Sequence, residues 1–349
     1  MKLIKKKWGI LENKDVHLFI VEDPNTGFKV EISELGASIV SVQVPDNKGK
    51  IDAITYGHED PKTYIESPGY MGATIGRVTN RIQNGHFELD GTIYKLTKNY
   101  KNIHQLHGGF KGFDKRLWMH IEEETFIKNK DIRISFQYLS KEREEGYPGN
   151  LLTKISYRIR PMVLEWEFHA TTDKKTIVNL TNHTYWNLNG THTMIDDLKI
   201  ALYAKKYCVV NDDLIPTGEI KEFPINLTKL QDFKTIFKRF GDVDHNFFLE
   251  NYLYENSALD VFPATMLYSP KTGRKMTVET SEPCLQVYTG NFMEHLTSYG
   301  TPCKKHNAVC LETQRVPNAI NMLKFRESVI LKPNEVYRHR TRHLFNVMK

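Results

Sequence analysis

Polar and apolar side chains alternate on both sides of a two-residue turn in the segment HFELDGTIYKL, residues 86–96. The turn is Asp90-Gly91, and an Asp-Gly pair between two alternating runs is the strongest short-range signal for a β-hairpin. Similar units have four-residue turns that end in glycine, a residue that accepts a positive φ at no steric cost. They are PNTG within residues 17–31, DNKG within residues 39–54 and PKTG within residues 265–279. The chain is therefore predicted to consist largely of antiparallel hairpins.

Helical periodicity is scarce outside two short stretches. Apolar side chains at spacings of three and four predict an amphipathic helix over residues 227–240, and residues 61–66 are expected to add one turn. Strands do not alternate with helical patterns of ~10 to 15 residues, which argues against a Rossmann fold or a TIM barrel. No Pro/Ser-rich linker divides the chain. The prediction is an all-β fold, a large antiparallel β-sandwich with few short helices, in which residues 1–349 form a single domain.

The composition is that of an ordinary globular protein. The 349 residues carry a formal net charge of +6, and 40% are hydrophobic and 26% charged, which excludes a disordered chain. The basic residues are scattered, so nucleic acid is not an expected partner. No apolar stretch approaches the ~18 residues that a membrane span requires. A partner among small molecules is the expectation that remains.

The cysteine pattern predicts reduced thiols in a cytoplasmic protein. Four cysteines occur without a C-x-x-C pair, at Cys208, Cys284, Cys303 and Cys310. This pattern indicates neither a disulfide scaffold nor a zinc ribbon. Residues 339–343 (HRTRH) contain two histidines, but no acidic or cysteine partner lies nearby in sequence. We interpret that segment as an exposed basic strand rather than a metal site.

Five segments are unusually polar for the strands that they interrupt. A single histidine or glutamate in a strand is more often exposed, or held in a structural hydrogen bond, than catalytic. Together, however, the five supply His, Glu, Asp, Arg, Asn and Gln beside Trp and Tyr, which suits a ligand with many hydroxyl groups and an apolar ring face. A sugar is the expected ligand class. The segments are residues 76–82, 105–110, 179–188, 244–247 and 311–318.

The order and spacing of these motifs resemble the aldose 1-epimerase, or galactose mutarotase, family over about residues 15 to 347. The resemblance implies a galactose mutarotase-like supersandwich, no cofactor and no bound metal, and interconversion of the α and β anomers of free hexoses such as galactose and glucose. The motifs that carry it are GRVTNRI at 76–82, LHGG at 106–109, NHTY at 182–185, DHN at 244–246, QVYTGN at 286–291 and ETQ at 312–314.

Opening a pyranose ring requires one base and one acid. The base removes the proton of the C1 hydroxyl while the acid protonates the ring oxygen; rotation about C1–C2 then presents the other face of the carbonyl group. The resemblance implies that Glu312 is the general base and that His183 is the general acid. A carboxylate can accept a proton, and an imidazole can transfer one near neutral pH.

The same resemblance assigns the residues that bind substrate. His107 and Arg81 are expected near the ring oxygen, and Asp244 near hydroxyl groups remote from C1. Tyr185, two places beyond His183 in an extended segment, should point to the same face. The full substrate-binding set is Asn80, Arg81, His107, Tyr185, Asp244 and Gln286.

Two departures from the family pattern and two alternative functions stay open. Trp186 stands where the family usually has Phe, and Asn318 where an Asp is common, so substrate preference is expected to vary more than reaction type. An epimerase for hexose 6-phosphates would need cations for the phosphate, with Arg77 and Arg81 as the candidates. A sugar-binding protein without turnover is the other alternative. The expected assembly is a monomer or a homodimer.

Overall fold

The computed structural model describes residues 1–250 and 261–348, and strands predominate among them. Two α-helices occur in this part of the chain, α1 (Pro61–Glu66) and α2 (Phe233–Arg239). Within the described residues, no helix combines the length and the apolar character that crossing a membrane requires. The predicted all-β class is confirmed.

The described residues contain 31 strands. They are β1 (Lys2–Leu11), β2 (Lys14–Asp23), β3 (Phe28–Ser33), β4 (Ser38–Pro45), β5 (Ile51–Ala53), β6 (Thr74–Ile75), β7 (Arg81–Ile82), β8 (His86–Leu89), β9 (Thr92–Lys95), β10 (Gln105–Leu106), β11 (Met119–His120), β12 (Phe126–Lys128), β13 (Asp131–Ser140), β14 (Leu151–Arg160), β15 (Val163–Thr172), β16 (Thr176–Ile177), β17 (Thr181–Asn182), β18 (Tyr185–Trp186), β19 (Lys199–Leu202), β20 (Ala204–Val210), β21 (Pro216–Glu222), β22 (Gln231–Asp232), β23 (Asp244–Leu249), β24 (Phe262–Tyr268), β25 (Arg274–Thr280), β26 (Cys284–Tyr288), β27 (Thr297–Ser298), β28 (Thr301–Pro302), β29 (Val309–Gln314), β30 (Ile330–Leu331) and β31 (Tyr337–Val347).

Three large antiparallel sheets organise these strands. The first has the order β1-β2-β3-β4-β5, and the second, of ten strands, has the order β11-β13-β14-β15-β31-β25-β24-β19-β22, with β12 added to β13. The third has the order β18-β29-β26-β23-β20-β21. Because β29, β26 and β23 lie side by side but come from distant parts of the sequence, this third sheet can gather side chains that no local pattern connects.

The core lies between the three large sheets. One cluster of buried side chains takes Phe19 from the first sheet, Ile134 and Trp166 from the second, and Phe247 and Leu285 from the third. Fully burying an aliphatic or aromatic side chain contributes about 1.5 to 3 kcal/mol. Packing of sheet faces against a shared core confirms the predicted β-sandwich.

The four predicted hairpins are all present. In the shortest, Leu89 pairs with Thr92 across Asp90 and Gly91, which both have positive φ angles of 50° and 74°. This is the geometry of a two-residue hairpin turn whose twist matches that of the strands. The other three turns connect β2 to β3, β4 to β5, and β24 to β25.

The helix predicted over residues 227–240 is too long. Gln231 and Asp232 instead form a short strand against β19, and the helix α2 begins only at Phe233. The Asp232 carboxylate accepts a hydrogen bond from the backbone N–H of Thr235 at 2.7 Å, which caps the helix at this position. Pairing and capping therefore place Leu227 outside the helix, although it is buried as its apolar character predicts. The turn expected at residues 61–66 is confirmed as α1.

Residues 339–343 form a strand as predicted, but the prediction that this strand is exposed is wrong for its two histidines. His339 and His343 are fully buried on the inner face of β31, because side chains alternate between the two faces of a strand. Arg340 and Arg342 lie on the outer face and form ion pairs, at 2.8 Å with Glu167 and 2.7 Å with Glu165.

Candidate active site

The six-stranded sheet carries one wall of the site. Glu312 on β29 lies opposite Gln286 on β26, and Asp244 on β23 lies opposite Tyr288 of β26. Tyr185 on β18 pairs with the neighbouring strand β29 at Cys310. Antiparallel register thus brings four parts of the sequence onto one stretch of sheet.

The facing wall comes from the short pair β7–β10. Arg81 pairs with Leu106. Asn80, just before β7, therefore lies next to His107, just after β10. Both residues adopt positive φ angles, 60° for Asn80 and 50° for His107. The backbone N–H of His107 donates to the carbonyl oxygen of Asn80 at 3.0 Å, and this bond holds the turned backbone in place.

His183 lies between β17 and β18 and is held by a backbone turn at residues 70–73. Its N–H donates to the carbonyl oxygen of Ala73 at 2.9 Å, and its carbonyl oxygen accepts from the N–H of Gly72 at 3.0 Å. The ring of Tyr70, at the start of the turn, lies 6.0 Å from the imidazole of His183 and 4.7 Å from that of His107, measured between ring centroids. The turn therefore positions the backbone of His183 and an aromatic ring beside it.

The two walls enclose a cavity of about 350 Å³, within the range of ordinary small-molecule sites. Polar side chains and aromatic rings both line it. Its lining residues are Pro68, Gly69, Tyr70, Asn80, Arg81, Tyr100, Leu106, His107, His183, Tyr185, Asp244, Tyr288, Phe292, His295, Leu296 and Glu312.

Three buried polar atoms in the cavity residues have no hydrogen-bond partner among the described residues. They are Nε of Arg81, Nδ1 of His183 and Oε2 of Glu312. Leaving such a group unpaired costs about 1 to 3 kcal/mol. All three atoms are shielded from solvent, so a ligand would reach them only after a movement of the lining side chains.

Burial sets the protonation of the central pair. Nε2 of His183 lies 3.6 Å from Oε1 of Glu312. Burial lowers the pKa of His183 to about 4. Burial, and then the negative charge of Asp244, raise the pKa of Glu312 well above its usual range, while Arg81 opposes the rise. Both shifts favour uncharged side chains, so the pair holds one proton between its two members, on Glu312.

His107 faces the cavity with a proton on Nε2. The backbone N–H of Asn80 donates to Nδ1 of His107 at 3.2 Å, so Nδ1 is an acceptor. Burial, His183 and Arg81 together lower the pKa of His107, which keeps the ring neutral. A neutral imidazole with Nδ1 as acceptor carries its hydrogen on Nε2. His107 is thus a hydrogen-bond donor toward the cavity.

The tautomer of His107 is unsuited to binding a metal ion. The ligand atoms of His107, His183 and Glu312 all lie within 4.8 Å of one another, a grouping that resembles a metal-binding triad. A histidine that binds metal through one nitrogen normally donates its other N–H to an acceptor. His107 instead receives a donor at Nδ1, which opposes loss of the proton from Nε2. The surroundings of the triad therefore suit hydrogen bonding better than metal coordination.

Gln286 lies behind the cavity rather than in its lining. Its Nε2 donates to Oδ1 of Asp244 at 2.6 Å, while Oδ2 of Asp244 lies 3.8 Å from a guanidinium nitrogen of Arg81. Gln286 therefore orients Asp244 in this structure. The other seven predicted site residues all line the cavity.

Several lining residues were not predicted. Tyr288 belongs to the motif at 286–291 and lies on the same strand face as Gln286, so alternation could have identified it. Tyr70 lies between Gly69 and Gly72, and two glycines so close together predict a turn. Tyr100 and Phe292 lie in loops, and no periodic pattern in the sequence indicates them.

Arg77, unlike Arg81, is not a cavity residue. Its guanidinium is buried and donates to four backbone carbonyl groups, those of Ser140, Lys141, Pro148 and Gly149, at 2.8 to 2.9 Å. It joins the motif at 76–82 to the ends of β13 and β14. One of the two arginines considered for a phosphate group is therefore committed to the backbone.

The two departures from the family pattern also lie outside the cavity lining. Trp186 is buried and stacks on His343, with ring centroids 5.0 Å apart. Asn318 has a φ of 57°, and its side-chain oxygen accepts from the N–H of Gln83 at 3.1 Å. Any effect of either residue on substrate preference would thus be indirect.

Comparison with known proteins agrees with this geometry. A family model described as aldose 1-epimerase matches residues 19–343. Galactose mutarotase of Homo sapiens is 36% identical over 332 residues, which cover 91% of each chain. The crystal structure of an aldose epimerase homologue from C. elegans has a TM-score of 0.84 at 25% identity, covering 95% of this chain and 100% of its own. Galactose 1-epimerase from Lactobacillus acidophilus NCFM shares the fold, with a TM-score of 0.85 at 23% identity over 100% of this chain and 99% of its own. The chain therefore belongs to the aldose 1-epimerase family.

Proposed function

We propose that this protein is an aldose 1-epimerase that interconverts the α and β anomers of free hexoses, galactose and glucose among them. The observation that carries the proposal is the buried pair of His183 and Glu312, with 3.6 Å between Nε2 and Oε1, in a cavity lined by polar side chains and aromatic rings. The human relative named galactose mutarotase supports the choice of substrate.

The proposed reaction removes one proton from the C1 hydroxyl and delivers one to the ring oxygen. The Glu312 carboxylate accepts the proton of the C1 hydroxyl, the bond between C1 and the ring oxygen breaks, and the His183 imidazolium gives its proton to that oxygen. The open-chain aldehyde then rotates about C1–C2, and the two transfers reverse on the other carbonyl face. Atoms and charge balance, because the pair holds one proton before and after ring opening.

Burial favours the open-chain stage of this cycle. Ring opening converts a charged pair, Glu312 carboxylate with His183 imidazolium, into the neutral pair that the raised and lowered pKa values favour. The buried surroundings therefore stabilise the open-chain stage relative to the charged, reactive form of the cyclic sugar complex. When the cyclic sugar binds, the proton must pass from Glu312 to His183 before ring opening.

His107 and Arg81 are proposed to stabilise charge near the ring oxygen. His107 offers its Nε2–H, and Arg81 brings its guanidinium to the cavity lining. Donors that face developing negative charge act more strongly in a buried site than in water. Asn80, Asp244 and Tyr185 are proposed to bind the remaining hydroxyl groups, with Gln286 orienting Asp244.

A hexose 6-phosphate is a poorer fit to the same cavity. Arg81 is the one arginine in the lining formed by the described residues, no lysine joins it, and it already lies beside Asp244. A phosphate dianion would meet the carboxyl groups of Asp244 and Glu312 without a free cation to offset them.

The setting proposed for this activity is the cytoplasm, with a hexose as the small-molecule partner. The four cysteines are buried free thiols, as expected in a reducing compartment. Fractionation of cells, with the protein detected by antibody, tests this part of the proposal.

Polarimetry of freshly dissolved α-glucose and α-galactose tests the proposed activity. We expect the purified protein to accelerate the approach to anomeric equilibrium. The variants Glu312→Gln and His183→Asn should each lose about 10²- to 10⁴-fold in kcat and still bind sugar, since both keep hydrogen bonding but not proton transfer. Binding without acceleration by the wild type would identify a sugar-binding protein, and acceleration restricted to glucose 6-phosphate would identify the phosphate-specific alternative.

A further inference from the structure

The guanidinium of Arg81 lies against the ring of Tyr100. Its Cζ is 4.6 Å from the ring centroid, which is cation–π distance. Along its edge, one terminal nitrogen donates to Oδ1 of Asn80 at 3.3 Å and the other lies 3.8 Å from Oδ2 of Asp244. The guanidinium thus contacts three residues, Tyr100, Asn80 and Asp244.

A cation–π contact restrains the position of the guanidinium over the ring without a hydrogen-bond acceptor. Arg81 also belongs to the cavity lining. Tyr100 therefore helps to hold in place a cationic group that lines the cavity.

Tyr100 is itself held by a tight loop. Its N–H donates to the carbonyl oxygen of His104 at 3.1 Å, and the N–H of His104 donates back to the carbonyl oxygen of Tyr100 at 3.0 Å. The side chain of Asn99 joins the loop to Leu106, accepting from its N–H at 2.7 Å. Leu106 pairs with Arg81, so the loop and the arginine share one anchored stretch of backbone.

Asp213 fixes the outer side of this loop from a distant part of the sequence. One of its carboxylate oxygens lies 2.6 Å from Nζ of Lys101, and the other lies 3.3 Å from Nε2 of His104. Nδ1 of His104 accepts from the N–H of Asn84 at 2.9 Å, so Nε2 carries a hydrogen and points to Asp213. A continuous set of contacts runs from Asp213 through His104 to Tyr100.

We propose that Tyr100 is a positioning residue for Arg81, and that Asp213 supports it by anchoring the loop of residues 99–106. The proposal rests on the proposed epimerase function, since its readout is turnover. It concerns the placement of the Arg81 guanidinium in the cavity lining, which decides whether this cation lies where charge develops on the substrate.

The variants Tyr100→Phe and Tyr100→Leu separate the ring from the hydroxyl group. Tyr100→Phe keeps an aromatic face for Arg81 and should retain most activity. Tyr100→Leu keeps apolar bulk without that face, and we expect kcat to fall by about 3- to 30-fold, the range that corresponds to a cation–π contact. Equal losses in the two variants would overturn the proposal, because the hydroxyl group would then be the active part.

A double-mutant cycle with Arg81 shows whether Tyr100 acts through Arg81 or contacts the substrate directly. In an Arg81→Ala background, Tyr100→Leu should have little further effect on kcat, because the group that it positions is already absent. If Tyr100→Leu cost the same in both backgrounds, Tyr100 would act on the substrate directly and the proposal would fail. Thermal unfolding of each variant identifies any that lose activity by losing the fold.

Asp213→Asn tests the anchor away from the cavity. We expect a smaller fall in kcat than for Tyr100→Leu. The matched control is Asp90→Asn, which removes a remote surface pair with Lys175 of the same 2.6 Å length and should leave kcat unchanged. No difference between the two variants would overturn the role of Asp213. A wild type without turnover would instead refute the proposed function, so the two failures are distinguishable.

Discussion

At the residue scale, the pH dependence of turnover follows from the pair His183 and Glu312. The pair must hold one proton, which is the case above the lowered pKa of His183, at about 4, and below the raised pKa of Glu312. As pH falls through about 4, His183 becomes protonated while Glu312 already carries a proton. Neither residue can then accept the proton of the C1 hydroxyl. As pH rises through the pKa of Glu312, the pair loses its proton and no donor is left.

We therefore predict a pH profile of kcat/KM with an acid limb near 4 and an alkaline limb well above the usual range of a glutamate. Polarimetric initial rates, corrected for spontaneous mutarotation at each pH, provide the measurement. Asp244→Asn should move the alkaline limb to lower pH, since the charge of Asp244 raises the pKa of Glu312. An acid limb near 6.5, the ordinary value of histidine, would contradict the burial argument.

The tautomer of His107 leads to a prediction about metals. Because the N–H of Asn80 occupies Nδ1, Nε2 keeps its proton and is a poor metal ligand. Dialysis against EDTA should leave kcat and KM unchanged. Loss of activity in the chelator that is restored by one added divalent ion would show that the three residues grouped around the cavity do bind metal.

At the element scale, the turn at residues 70–73 determines where His183 lies. Gly72 has a φ of 67°, and a Cβ there would overlap the carbonyl oxygen of Ile39. Its N–H donates to His183, and its carbonyl oxygen accepts from the side chain of Asn182 at 2.7 Å. A small change in this turn therefore reaches the side chain that we propose as the general acid.

We predict that Gly72→Ala lowers both stability and kcat. The matched control is Gly218→Ala, at φ 90° with no neighbouring atom within 4 Å of the added Cβ. The control should lose only about 1 to 2 kcal/mol from the left-handed backbone, and the Gly72 variant should lose more because the backbone must also move. Urea unfolding and polarimetry measure the two effects. Equal losses of stability would mean that the turn relaxes without cost.

The two helices show that capping fixes the residue at which a helix begins. Residues 61–66 form α1, where Asp60 caps the helix by accepting from the N–H of Thr63 at 2.9 Å. At α2 the cap is Asp232, five residues beyond the start expected from apolar spacing alone. Apolar spacing predicts which side chains are buried, but capping and strand pairing decide where the helix begins.

At the scale of the whole molecule, we propose that the chain folds as one domain. The shared core of the three large sheets supports this proposal, because no sheet has a separate interior of comparable extent among the described residues. Scanning calorimetry should show a single transition, with the calorimetric enthalpy equal to the van't Hoff enthalpy. Two resolved transitions would indicate separate domains.

Features that depend on neighbouring residues could be predicted from the sequence. The Asp90-Gly91 hairpin and the three glycine turns follow from local backbone preferences, and alternation in their strands implied a sandwich. The identities of His183 and Glu312 came from motif order, which is also a property of the linear chain. Tyr185 beside His183 followed from the two-residue repeat of an extended segment.

Only the tertiary structure decided which of the polar residues face the cavity. Gln286 and Asp244 come from strands far apart in sequence, and their contact places the first behind the second. Arg77 and Arg81 belong to the same motif. Their local sequence cannot show that Arg77 binds carbonyl groups at the ends of β13 and β14 while Arg81 lines the cavity. Tyr100 contacts Arg81 from a loop that also contacts the distant Asp213. The physical reason is the same in each case: local propensities act over a few residues, whereas the register of distant strands and the packing of loops depend on the whole fold.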